Sequence, residues 1–316
     1  MSVRGVNKLS IIGAGAVGSS LAYASLIRGV ARHVVLHDIN AAKVRAEALD
    51  LAHGSQFMPQ AKVEGSEDPE ITRGSDVVVI TAGAKQKPGE TRMDLAASTV
   101  NLMKKVIPPL VERSPEAIFL MVTNPVDVTT YAALKISGLP RNQLFGSGTV
   151  LDSSRLRYLV AEACEVAVVN VHAYIAGEHG DSEIPLWSAA TIGGVPLLDW
   201  ERQTGKLDES TRDAIADRVV NAAYEVIEGK GATNYAIGLA ATRIIESVLR
   251  DEHRVLPISS LVEDWYGIKD VCLSVPTIVD RQGAGHTLRQ PLTDGELGCM
   301  HESADAIRHT LKSLGF

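Results

Sequence analysis

One short stretch constrains this chain more than any other. Gly13-Ala14-Gly15-Ala16-Val17-Gly18 stands between the apolar run KLSII and the helical pattern AVGSSLAYASLIRG. At such a junction the first glycine permits a tight turn, the second lets a pyrophosphate approach the backbone, and the third allows close packing of helix on strand. The helix N-terminus then offers free N–H groups and a favourable dipole to the phosphates. A plain strand-to-helix turn would give the same letters, so a second feature matters. Asp38 closes the next apolar run, HVVLHD, twenty residues after Gly18. There a carboxylate is placed for ribose hydroxyls and would repel an extra 2′-phosphate. An ordinary strand-end carboxylate is the other reading of Asp38. Glycine turn and acid together, in this context, predict a dinucleotide site that takes NAD rather than NADP.

The rest of the first half extends the same pattern. A helix is expected around AAKVRAEALDLAHG. DVVVITAG reads as a strand, a long helix runs from Met93 to about Glu112, and AIFLMVTNP reads as another strand. Continuous apolar runs of this length fit strands buried on both faces, as in a parallel sheet. Their alternation with helices argues a doubly wound α/β domain of the Rossmann type, over residues 1–147. The second half, 148–316, is expected to form an α+β catalytic domain. LDSSRLRYLVAEA and Asp208 to Glu228 read as helices and NVHAYIAGEHGD as extended chain. VCLSVPTIVDRQGAGHTLR reads as a hairpin with Gly283 to Gly285 near its turn, before a last helix from about Asp294 to Leu314. The halves are expected to pack closely, with the site in the cleft between them.

Bulk properties narrow the function classes. Of 316 residues, 45% are hydrophobic and 22% charged, which suits a soluble globular enzyme. The formal net charge is −7 with no long run of either sign. Nucleic acid is therefore not an expected partner, since phosphate binding needs a clustered basic surface. No apolar stretch approaches the roughly 18 residues of a membrane span. The N-terminus lacks the apolar core of a signal peptide. Cys164, Cys272 and Cys299 are widely separated, form no metal-spaced cluster, and read as free thiols of a reducing, cytoplasmic setting. No metal site is expected.

Four segments carry candidate chemistry. Gly177-Glu178-His179-Gly180-Asp181-Ser182 presents a histidine between glycines, a setting that exposes the side chain. In Leu151-Asp152-Ser153-Ser154-Arg155, an acid and a base lie at i and i+3 on one helix face. Arg92 ends the polar stretch AKQKPGETR, and Thr123-Asn124-Pro125 ends a strand. In open α/β sheets, ligands sit beyond the carboxyl ends of strands, where these loops belong. Each segment alone has a plain explanation: a surface histidine, a helix salt bridge, a solvated loop charge, a turn before proline.

Taken together, in this order and spacing, GAGAVG, the aspartate of HDIN, TAGAKQKPGETRMDL, VTNPVD, LDSSR and GEHGDS resemble the lactate/malate dehydrogenase family, most closely its bacterial lactate-forming branch, over nearly the whole chain. The resemblance implies reversible NADH-dependent reduction of pyruvate to L-lactate. It implies that His179 is the acid/base, that Asp152 orients and stabilises the imidazolium, and that Arg155 grips the substrate carboxylate. It implies that Arg92 polarises the carbonyl, Asn124 holds substrate and cofactor, and Thr233 of KGATNYAIG lines the substrate pocket. The cofactor set it implies is Gly13, Gly15, Val17, Gly18, Asp38, Thr81, Gly83, Ala84, Val122 and Asn124. The L hand rests on this resemblance alone. The chemistry fits independently: hydride arriving at a carbonyl carbon leaves charge on oxygen, which a proton donor and a fixed cation stabilise. An arginine fork matches a carboxylate better than a lysine point charge.

Two rival readings remain at this stage. One is malate dehydrogenase, or another L-2-hydroxyacid dehydrogenase, on the same scaffold. The other is an NAD-binding protein without catalysis, against which stand the intact His179, Asp152, Arg155 and Arg92. In the family, the position of Gln86 faces the substrate's C3 substituent, and malate-specific members carry an arginine there. The neutral Gln86 therefore favours pyruvate. Arg157 and His172 resemble the pair with which allosteric bacterial lactate dehydrogenases bind fructose 1,6-bisphosphate across a subunit two-fold axis. That likeness implies an effector site and a homotetramer. Two steps along a helix turn Arg157 about 200° away from Arg155. In VHAYIAG, period-two alternation sets Val171, Ala173 and Ile175 on one face and His172 on the other.

Overall fold

A computed structural model of the chain describes residues 7–84 and 92–316, the side chain of Arg92 excepted. Gln86 and the rest of the 85–91 stretch lie outside the described residues. The first half runs β1 (Lys8–Ile12), α1 (Ala16–Ile27), β2 (His33–His37), α2 (Ala41–His53), β3 (Lys62–Ser66), β4 (Val77–Ile80), α3 (Arg92–Arg113), β5 (Ile118–Met121), α4 (Val126–Ser137) and β6 (Leu144–Gly146). These six strands are parallel and lie in the order β6-β5-β4-β1-β2-β3. The sequence reverses direction at β1/β4, the switch point at which doubly wound sheets bind ligands. β4 and β5 are buried along their whole length, as their unbroken apolar runs predict.

Burial on both faces comes from strict alternation. Val78, Ile80, Phe119 and Met121 enter the core beneath α3, α4 and the C-terminal helix, while Val77, Val79 and Leu120 enter the core on the other face. β3 and β6 are not singled out by the sequence reading. β3 (KVEGS) is an edge strand with no fully buried residue, so its letters carry no apolar run.

The second half runs α5 (Val150–Cys164), β7 (Val171–His172), β8 (Ile175–Ala176), β9 (Ile184–Pro185), β10 (Thr191–Ile192), β11 (Val195–Pro196), α6 (Leu197–Thr204), α7 (Glu209–Lys230), α8 (Tyr235–Arg250), β12 (Arg254–Val262), β13 (Val271–Asp280), β14 (Gly283–Thr287) and α9 (Asp294–Ser313). The helices expected at α5, α7 and α9 are present; α9 opens with a capping box between Thr293 and Glu296. The expected hairpin is β13–β14, with Arg281 and Gln282 at its turn. Gly283 already belongs to β14, where a Cβ would lie 1.9 Å from the Asn142 carbonyl oxygen.

β12–β14 extend the sheet of the first half. β12 joins β6 antiparallel through Ser259 and Gly146, making nine strands. Glycine is required at 146 because a Cβ would lie 2.5 Å from Thr130 Oγ1 and 3.1 Å from Ser259 Cβ. On one face α8 packs across α1, where Gly238 lets the helix backbones approach. A third core lies under α5, β7, β10 and α7. The three cysteines are free, Cys164 and Cys272 buried and Cys299 exposed. Among the described residues, no helix is long and apolar enough to cross a membrane.

Candidate active site

The glycine loop lies between β1 and α1. Gly13 takes φ +105°, donates to the His37 carbonyl at 2.7 Å, and leaves no room for a Cβ against Thr81 and Ala82. At Gly18 a Cβ would lie 1.9 Å from the Gly13 oxygen, which is the close helix–strand packing expected of the third glycine. Gly15 caps α1 without any side-chain hydrogen bond, no acid stands in the first turn, and a Cβ there would meet nothing within 4 Å. Among the described residues no side chain caps the N-terminus of α1, which fits the pyrophosphate of NAD.

Asp38 ends β2 beside this loop. Its carboxylate accepts from the Ala14 N–H at 2.8 Å and the Asn40 N–H at 2.9 Å. Each oxygen keeps a lone pair for a ribose hydroxyl. Thr81 Oγ1 donates to the carbonyls of Ile12 and Gly13, tying the end of β4 to the loop. Val17 packs on the core behind α1 and Val122 is buried at the end of β5. Gly83 and Asn124 are exposed above the strand ends, and Ala84 is half-buried there. The expected cofactor residues therefore gather at the carboxyl ends of β1, β2, β4 and β5.

The expected proton-transfer pair is built from the other half. Asp152 sits in the first turn of α5 and is 1% exposed. Thr149 and Ser153 fasten that turn to β8 through the Ile175 backbone, with bonds of 2.6 and 2.8 Å. β8 runs straight into the GEHGDS loop. Gly177, at φ +94°, exchanges backbone hydrogen bonds with Ser274 of β13, and the Glu178 N–H donates to Ser303 of α9 at 2.7 Å. The His179 N–H donates to Asp127 Oδ2 at 2.8 Å. Thus the glycine brings the loop against β13 and α9, and the His179 side chain is one-quarter exposed, less open than its glycine flanks suggest.

His179 Nδ1 lies 2.6 Å from Asp152 Oδ2, and Arg155 Nη1 donates to Asp152 Oδ1 at 2.6 Å. The i, i+3 salt bridge and the catalytic arrangement expected from the sequence are one and the same cluster. Burial pulls the His179 pKa down, but the Asp152 charge and hydrogen bond outweigh it and raise the pKa to about 9. Burial works against the Asp152 anion too, yet the His179 charge and hydrogen bond, helped by Arg155, hold its carboxyl below the usual range.

Two buried acids in this neighbourhood escape the sequence reading. Asp127 opens α4 just after VTNP. It accepts from the His179 N–H and from Ser259 Oγ at 2.6 Å. Burial pushes its pKa up to about 6 against those bonds. It closes the quoted motif VTNPVD, but no role follows from the motif for an acid at the head of the apolar run VDVTTYAAL. The second acid, Glu183, lies close to Asp152 and His179.

Thr233 lies in the turn between α7 and α8, half-buried, and its neighbour Asn234 donates to Ser20 Oγ of α1 at 2.8 Å. A cavity of about 480 Å³ between α5, α7 and α8 is lined by Ser154, Arg155, Asn221 and Ala236 among others. Arg157 points away from this cavity. Its Nε donates to the Ala173 carbonyl at 2.8 Å and its guanidinium stacks over Tyr174. His172 is exposed while Val171, Ala173 and Ile175 are buried, the alternation read from the sequence.

With this geometry in hand, comparison with known proteins is direct. Residues 7–146 match the NAD binding domain of lactate/malate dehydrogenase, and residues 149–314 match the alpha/beta C-terminal domain of the same enzymes. The chain belongs to the lactate/malate dehydrogenase family. An L-lactate dehydrogenase of Bifidobacterium animalis subsp. lactis is 54% identical over 98% of this chain and 97% of its own. L-lactate dehydrogenase 1 of Clostridium acetobutylicum is 48% identical over 97% of this chain and 98% of its own. The crystal structure of a minor L-lactate dehydrogenase from Enterococcus mundtii superposes with a TM-score of 0.94 at 38% identity, covering 97% of this chain and 98% of that one.

Proposed function

We propose that this chain is an NAD-dependent L-lactate dehydrogenase that interconverts pyruvate and L-lactate in the cytoplasm. The observation that carries the reading is the Asp152-centred cluster, with His179 and Arg155 each 2.6 Å from one buried carboxylate. Identities of 48–54% over nearly the full length of named L-lactate dehydrogenases support the substrate assignment. Residues 1–147 bind the dinucleotide and 148–316 supply the catalytic groups.

Gly13, Gly15, Val17, Gly18, Asp38, Thr81, Gly83, Ala84, Val122 and Asn124 hold NAD, which when bound supplies or accepts the hydride. His179, protonated at neutral pH, donates from Nε2 to the carbonyl oxygen as charge develops there. Asp152 fixes the ring by its contact with Nδ1 and stabilises the imidazolium. The Arg155 guanidinium, oriented by the same carboxylate, keeps nitrogens free for the substrate carboxylate. Arg92 polarises the carbonyl, and Asn124 and Thr233 line the pocket. Gln86 leaves the substrate's C3 substituent without a counter-ion. Arg157 and His172 bind fructose 1,6-bisphosphate across a two-fold axis of a homotetramer.

The deciding experiment measures NADH oxidation with pyruvate, oxaloacetate and a branched 2-keto acid side by side. Pyruvate is expected to lead in kcat/KM. An unpaired second carboxylate would cost roughly 3–5 kcal/mol, about 10²–10³-fold or more. Gln86→Arg is expected to shift the preference towards oxaloacetate. A parent enzyme that prefers oxaloacetate is a malate dehydrogenase, and one inert to all three substrates is a binding protein.

A further inference from the structure

We propose that Glu183 is a positioning residue that stands as a neutral carboxylic acid beside Asp152 and donates a hydrogen bond to it, setting how firmly Asp152 holds the proton on His179. This rests on His179 being the acid/base. Glu183 follows GEHGDS and precedes β9, and it is 9% exposed. Its Oε1 is sealed from solvent and has no hydrogen-bond partner. Ligand-type atoms of Glu183, Asp152 and His179 all lie within 4.8 Å of one another.

Two ionised carboxylates cannot share so small a dry space without a strong repulsion. Asp152 is already fixed as the anion, because it accepts from Arg155 and pairs with His179. The shared proton therefore resides on Glu183. Burial first, and then the Asp152 charge from α5, push the Glu183 pKa to about 9, while His179 and Arg155 oppose only in part. A neutral Glu183 has two consequences. It leaves Arg155 uncompensated by a further anion, so the guanidinium meets the substrate carboxylate at full strength. Its hydrogen bond also draws charge density from Asp152, so His179 is less basic than it would be beside an Asp152 without that donor.

The test compares the parent with Glu183→Gln and Glu183→Met, following kcat/KM for pyruvate from pH 6 to 10 with melting temperatures alongside. Gln keeps a neutral donor. It is expected to stay within about twofold of the parent at pH 7 and to keep the alkaline midpoint. Its fall should have a single-proton slope, where the parent falls more steeply because Glu183 ionises together with His179. Met removes the donor and is expected to move the midpoint up by on the order of one pH unit. Gln would then rescue what Met disturbs, which a packing role does not explain. A Gln variant that folds normally but loses more than about tenfold at pH 7 would show that the ionised carboxylate is used, and overturn the proposal. A Met variant with an unchanged midpoint would do the same. His179→Gln, measured in parallel, separates the two readings: if it alone keeps turnover, the acid/base assignment falls. If it loses turnover and the Glu183 profiles match the parent, only the Glu183 proposal falls.

Discussion

A proton bound at His179 near neutral pH is the central consequence of the Asp152 contact. With its pKa raised from 6.5 to about 9, the imidazolium persists through neutrality and is lost as pH rises through about 9. Pyruvate reduction is therefore expected to fall above that point and lactate oxidation to gain. The same shift contributes stability that is complete below pH about 6.5 and disappears as pH climbs towards 9. Denaturant unfolding at both ends of that window checks the sign. His179→Gln should lower turnover by about 10²–10⁴-fold while NADH binding, read by fluorescence, survives. At the other end of the site, Asp38→Ala should weaken the preference for NADH over NADPH, measured as the ratio of kcat/KM values. A parent enzyme indifferent between the two would show that Asp38 serves only the backbone of the glycine loop. His179, Asp152 and Arg155 were legible because their motifs are local. Asp127 and Glu183 were not, because what defines them is burial beside groups far away in sequence, such as the 52-residue step from Asp127 to His179.

Among the elements, α1, α2, α3, α5, α7 and α9 announce themselves through their helical letter patterns, and β4 and β5 through unbroken apolar letters. Edge strand β3 does not, because one polar side faces water. The sequence reading expects a second, α+β half, but it does not show that β12 and its partners join the first sheet. Strand letters do not say which neighbour a strand will choose, and Gly146 and Ser259 meet across 113 positions of chain. Helix α8 is tied to α1 by charge as well as by close packing. Glu246, 1% exposed, pairs with Arg28 at 2.7 Å, Arg243 at 2.5 Å and Arg250 at 3.1 Å. Glu246→Gln should leave three like charges facing one another around a weaker acceptor. A loss of about 1–3 kcal/mol is expected in denaturant unfolding, below the cost for a fully dry pair because the arginines remain partly solvated. A neutral result would mean that packing at Gly238 alone holds the two helices.

At the scale of the whole molecule, Arg157 of α5 is anchored to the Ala173 carbonyl and Tyr174, and His172 stands exposed on the neighbouring β7. In the proposed tetramer, their copies across a two-fold axis would make a patch of positive groups that repel when unliganded and that a doubly phosphorylated sugar would neutralise. Fructose 1,6-bisphosphate is then expected to lower the pyruvate KM and raise the sedimentation coefficient, more so at mildly acidic pH, where His172 charges. Arg157→Gln should abolish both effects and leave turnover at saturating pyruvate nearly intact. No response at pH 6 or pH 7 would remove the effector site. The seam between β6 and β12 bears on how any such signal is carried. Because one sheet crosses from the nucleotide-binding strands into the catalytic half, the molecule has a keel in place of a waist. The two halves cannot swing shut on a substrate like a jaw. Shape change must instead be borne by segments riding on the frame, so hydrogen exchange on ligand binding should slow in peripheral helices and loops while β6 and β12 keep the same rate.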